Sequence, residues 1–126
     1  MDSQNTDQKL AVITGGASGI GLSCSKRFAK EGYAVLIVDA NKETGEQELK
    51  ALKSDGYNAD FAYCDITKHE QVAAIFQGLG DQYKCAQVLV NCAGISPALN
   101  ALHEYPIEEW HRAIDINLHG TFYACR

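Results

Sequence analysis

The run Leu10-Ala-Val-Ile-Thr14 passes without a break into Gly15-Gly16-Ala17-Ser18-Gly19-Ile20-Gly21, and this junction restricts the fold more than any other part of the chain. A short, continuous apolar run reads as a strand buried on both faces. The glycines at 15, 19 and 21 then turn the chain into a helix that runs to about Gly32. A helix start presents unpaired amides with a partial positive charge, so a glycine turn in front of it suits a pyrophosphate. Gly15 can take the tight turn, Gly19 lets the backbone approach a ligand, and Gly21 lets the helix pack close on the strand. The spacing Gly-x3-Gly-x-Gly is not the Gly-x-Gly-x2-Gly of the common dinucleotide fingerprint, and a glycine loop by itself also fits a purely structural turn.

Strand-like and helix-like segments alternate from there on. Tyr33 to Asp39 is a second, almost wholly apolar strand, and a helix follows from about Lys42 to Ser54 with Leu49 and Leu52 on its inner face. Asp60 to Cys64 is a short third strand. Thr67-Lys-His-Glu70 has capping-box spacing ahead of a helix carrying Val72, Ile75, Phe76 and Leu79. Gln87 to Cys92 is a fourth strand, followed by a loop with Pro97 and Pro106 and a helix from about Ile107 that is still running at Arg126. Gly120 inside that helix costs about 1 kcal/mol relative to alanine, which points to close packing or a local bend. This order predicts an α/β fold with a parallel sheet covered by helices. Residues 1–8 read as a flexible tail.

With 126 residues, 46% hydrophobic and 21% charged, the chain matches one globular domain. Its polar start lacks the basic flank and apolar run of a secretory signal, and no later stretch is long enough for a bilayer, so the expectation is a soluble, cytoplasmic protein with no membrane partner. A net charge of −5 without any basic run argues against nucleic acid as a partner. Five cysteines without a C-x-x-C pair are expected to be buried, reduced thiols. The four histidines lack zinc-ligand spacing, so no metal is expected.

Asp39 ends the second strand 18 residues after Gly21, where this fold places the acid that hydrogen-bonds the adenine ribose. A carboxylate there repels the extra phosphate of NADP, and neither the glycine loop nor positions 40 and 41 hold Arg or Lys. NAD is therefore the expected cofactor and NADP the less favoured one, although Asp39 taken alone is also an ordinary polar strand end.

In order along the chain, Thr14-Gly15-x3-Gly19-Ile20-Gly21, Asp39, Cys64-Asp65-Ile66-Thr67 and Val90-Asn91-Cys92-Ala93-Gly94 resemble the short-chain dehydrogenase/reductases, over nearly the whole chain. The resemblance implies a Rossmann-type doubly wound parallel sheet, strand order 3-2-1-4 present and its C-terminal strands missing, so that 9–126 are an NAD-binding Rossmann domain, incomplete at the C-terminus. It also implies a cofactor site built from Thr14, Gly15, Ser18, Gly19, Ile20, Gly21 and Asp39, with Asp65 and Ile66 against the adenine. It implies that Asn91, Ala93 and Gly94 close the far side of the cleft. Cys92 departs from the asparagine usual in the family. Asn117 matches the asparagine of the family's catalytic Asn-Ser-Tyr-Lys tetrad, which shapes the helix and holds a water in a proton relay; from spacing alone it is an ordinary helix residue. The implied reaction is hydride transfer between NAD(H) and a secondary alcohol or ketone. The implied partners are a small-molecule alcohol or carbonyl substrate and, at full length, further copies of the chain packed through the last helix.

The family's chemistry needs a tyrosine with a lysine four residues later, and a serine. No tyrosine here has that lysine, the last lysine is Lys84, and Ser96 follows the fourth strand whereas the family's serine follows the fifth. Two readings stand side by side. The chain is the cofactor-binding half of an NAD-dependent dehydrogenase or reductase and inactive alone, or it is a non-catalytic nucleotide-binding or interaction module.

Overall fold

In a computed structural model, which describes residues 7–126, the apolar runs form four parallel strands in the order β3-β2-β1-β4. Strand β1 (Leu10–Thr14) is central and buried throughout, pairing Ala11 with Val35 of β2 (Ala34–Asp39) on one side and with Val88 of β4 (Val88–Asn91) on the other. Strand β3 (Ala59–Tyr63) lies outside β2. Because β1 and β2 are covered on both faces, alternate residues feed two cores. Ala11, Ile13, Val35 and Ile37 meet helices α1 (Gly19–Lys30) and α2 (Lys42–Ser54) through Ala29 and Leu52. Leu10, Val12, Leu36 and Val38 meet α3 (His69–Leu79) and the last helix through Val72 and Ala124. The expected doubly wound sheet and its 3-2-1-4 order are thus present.

Several boundaries differ from the sequence reading. Strand β2 starts at Ala34 because Tyr33 stacks edge-on against Phe28, with ring centroids 5.2 Å apart. Strand β3 is shifted one residue toward the N-terminus because its register begins with Ala59 opposite Val35. Strand β4 is shorter at both ends than the run Gln87 to Cys92, the Gln87 side chain instead accepting a hydrogen bond from the Leu10 amide at 2.6 Å. The capping box at Thr67 to Glu70 does not form. Lys68 takes the N-cap of α3 without a side-chain bond, and the Thr67 hydroxyl is spent on Asp65.

The last helix is continuous from Ile107 to Cys125 but not uniform: α4 (Ile107–Ile114) passes through a π segment, Asp115–His119, into α5 (Gly120–Cys125). A Cβ at Gly120 would lie 2.6 Å from Ile66 Cγ2, so close packing explains that glycine, with the π segment immediately before it. Ile107, Trp110, Leu118 and Phe122 are exposed along this helix. The cysteines are all free, yet only Cys64 is buried. Cys24 and Cys92 are half-buried and Cys85 and Cys125 exposed, because the latter two sit in a loop and at the helix end rather than under the sheet. Of the expected tail, residues 1–6 lie outside the described residues, while the Gln8 side chain donates to the Gly32 carbonyl and accepts from Asn58. No described helix is long and apolar enough to cross a membrane.

Candidate functional site

The carboxyl ends of β1, β2 and β4 are knitted together before any ligand is considered. Gly15 donates its amide to the Val38 carbonyl at 2.8 Å, and Ala93 donates to the Thr14 hydroxyl at 3.2 Å. Gly15 has φ +62°, and a Cβ there would fall 2.7 Å from the Ala93 nitrogen. A side chain is excluded twice over, by conformation and by the neighbouring strand. At Gly21 a Cβ would run into the Gly15 carbonyl, so α1 can sit on the turn only as glycine. At Gly19 no atom lies within 4 Å of a Cβ, so only its φ of +53° calls for glycine, and the residue faces open space.

That space is a cavity of about 470 Å³ above the carboxyl edge of the sheet. Eleven of the twelve residues expected to hold a dinucleotide line it, in four groups. These are Thr14, Gly15, Ser18, Gly19, Ile20 and Gly21 from the turn, Asp39 from β2, Asp65 and Ile66 after β3, and Ala93 and Gly94 after β4, with Asn91 left out. Asn91 lies in the ladder beside Thr14 and turns its amide toward Cys125 Sγ at 3.4 Å. Asn117 also stands outside the cavity wall. Its side chain accepts from the Ile95 amide (2.8 Å) and donates to the Ile95 carbonyl (3.0 Å), pinning the start of the loop after β4 to the π segment. The cavity further includes Val38, Ala40, Cys64, Cys92, Arg112 and Ile116, which sequence reasoning did not assign.

The wall chemistry fits a dinucleotide. Ser18 caps α1 without a side-chain hydrogen bond and no acid sits in its first turn, which leaves the leading amides and the positive end of the helix dipole for an anion. Asp39 is anchored by its own backbone neighbours, Oδ2 accepting from the Ala17 amide (3.1 Å) and Oδ1 from the Asn41 amide (2.9 Å). One carboxylate therefore ties the glycine turn to the tip of β2. Asp65 is held below the usual carboxylate range, chiefly by the Thr67 hydroxyl bonded to Oδ1 at 2.7 Å. Burial, with the Asp65 charge beside it, pushes the Cys64 thiol up to about 11, so it stays protonated at the cavity floor. Burial also raises Cys92, with Cys24 next to it adding to the effect.

The short chain dehydrogenase pattern matches residues 9–126. The chain is 36% identical to a 3beta-hydroxysteroid dehydrogenase of Mediterraneibacter gnavus, over 95% of this chain and 44% of that protein. It is 38% identical to 3-hydroxyacyl-CoA dehydrogenase type-2 of Rattus norvegicus, over 93% of this chain and 46% of the relative. Among solved structures, that of an actinorhodin polyketide ketoreductase with NADPH superposes with a TM-score of 0.89 at 32% identity, covering 98% of this chain and 47% of the other. The chain thus spans a little under half the length of these relatives. With the glycine turn, the 3-2-1-4 sheet and the matched sequence pattern in agreement, the chain belongs to the short-chain dehydrogenase/reductase family.

Proposed function

We propose that the cavity binds NAD(H), and that the chain is the cofactor-binding half of an oxidoreductase acting between a secondary alcohol and a ketone. The family uses a nicotinamide cofactor, NAD or NADP, with small-molecule alcohol or carbonyl substrates. The single observation carrying the NAD reading is Asp39. Its carboxylate lines the cavity at the tip of β2, where it can accept from ribose hydroxyls and repel a 2′-phosphate. The ketoreductase structure with NADPH marks the alternative that this carboxylate opposes.

In this reading the leading amides of α1 hold the pyrophosphate, Asp39 the adenine ribose, and Asp65 and Ile66 the adenine. Ala93 and Gly94 border the nicotinamide side, and Asn91 supports them from the ladder. When bound, the cofactor supplies or accepts the hydride. Asn117 acts by fixing Ile95, and with it the loop that opens toward the substrate side. In a complete enzyme the serine and Tyr-x3-Lys come from the other half of the protein, and the exposed stripe Ile107, Trp110, Leu118 and Phe122 packs against other parts of the assembly. The absence of any tyrosine with a lysine four residues on also favours a second reading, a nucleotide-binding module without catalysis.

Turnover separates these readings. The 126-residue chain is expected to bind NADH and to leave its absorbance at 340 nm unchanged on addition of ketones, whereas a longer protein carrying this chain with a serine and Tyr-x3-Lys consumes NADH. Ketone-dependent oxidation by the chain alone would contradict the assignment of the proton-transfer groups to the other half. An inert longer protein would support the module.

A further inference from the structure

Among the described residues Arg112 is the only basic one lining the cavity, and neither acid of the cavity wall pairs with it. The two acids of the wall are already engaged, Asp39 by the Ala17 and Asn41 amides and Asp65 by Thr67. Among the described residues the one ion pair of Arg112 is with Glu109 of the same helix, at 3.7 Å, beyond the range of a good N–H···O hydrogen bond. Helical spacing puts Arg112 one turn before Ile116, and both residues line the cavity. Arg112 also borders the adjoining hollow with Asp65 and Thr67, which places it at the end of the cavity formed by the β3 loop.

We propose that Arg112 is a binding residue for the adenine end of the dinucleotide, an inference that rests on the cofactor reading above. A guanidinium is planar, weakly hydrated for a cation, and attracted to the face of an aromatic base, so it can contribute binding without any carboxylate partner. The β3-loop end is also the end at which Asp65 and Ile66 are proposed to meet the base. The partner of Arg112 is therefore the adenine ring rather than the pyrophosphate, which the cofactor reading assigns to the α1 amides. Because more than half of the Arg112 side chain is exposed, removing it should leave the fold intact.

Calorimetric titration of the 126-residue chain and of Arg112→Ala and Arg112→Lys with NADH, ADP-ribose, NADPH and reduced nicotinamide mononucleotide tests this. Arg112→Ala is expected to weaken NADH and ADP-ribose about fivefold, the upper end of the range for a cation–aromatic contact at a partly exposed site. It is expected to leave the mononucleotide and the thermal midpoint of the free protein unchanged, with Arg112→Lys in between. Unchanged ADP-ribose affinity in Arg112→Ala would overturn the role, as would equal weakening of the mononucleotide. A loss confined to NADPH would overturn the adenine assignment in favour of a phosphate contact. Absence of NADH binding by the unmodified chain would instead overturn the cofactor reading itself.

Discussion

Gly21→Ala is expected to lower the stability of the folded chain by about 3 kcal/mol, the upper part of the range for overpacked sites. Dinucleotide affinity is expected to fall at least tenfold. The added methyl has nowhere to go: it meets the Gly15 carbonyl, which is backbone, and behind it the Gly16 Cα. Gly15 cannot retreat, since it is itself pressed against the Cys92–Ala93 peptide. Relief requires α1 to lift off the turn, which moves the amides proposed to hold the pyrophosphate. Gly78→Ala in α3 is the matching control. Nothing lies within 4 Å of a Cβ there, so stability should rise by about 0.5 kcal/mol through lost backbone freedom in the unfolded chain. Urea unfolding of the two variants measures the contrast, and equal stabilities would show that the packing at Gly21 is not tight.

Asp39→Ala carries the second large effect. Its NADH affinity should drop roughly ten- to a hundredfold, the range for losing hydrogen bonds to a charged group, while the preference for NADH over NADPH shrinks. Two causes act together: the ribose acceptors disappear, and the Ala17 amide loses the carboxylate that anchors the glycine turn. Asp39→Asn separates them. It keeps an acceptor for the backbone amides but removes the charge, so it should lose less NADH affinity and still narrow the gap between cofactors. A gap left untouched by both variants would show that Asp39 does not discriminate against the 2′-phosphate.

Elements governed by local patterning were legible from the sequence. Strand β1 and helix α2 end where the sequence places them, because β1 is an apolar run buried on both faces and α2 lies between the cap at Asn41, which accepts from the Thr44 amide, and the stop at Asp55. Boundaries set by a partner elsewhere were not. The start of β3 depends on its register with Val35, and α3 starts one residue later than the capping box requires, with Lys68 at its N-cap while the Thr67 hydroxyl and amide donate to Asp65. The π segment at Asp115–His119 is equally silent in the residue pattern. In the site, the glycine turn and Asp39 could be found because backbone geometry and charge demand particular residue types. Arg112 could not, since it is an ordinary exposed helix arginine until the fold brings α4 beside the loop after β3. Cys85 and Cys125 were expected to be buried from their type alone, and their positions at a loop and a helix end override that tendency.

The most direct test is a fluorescence titration of the unmodified chain with NADH and with NADPH under identical ionic strength. Saturable binding of NADH, displaced by ADP-ribose and clearly tighter than NADPH, is the predicted result. No NADH binding, or NADPH bound as tightly as NADH, would contradict the assignment of this cavity as an NAD site governed by Asp39.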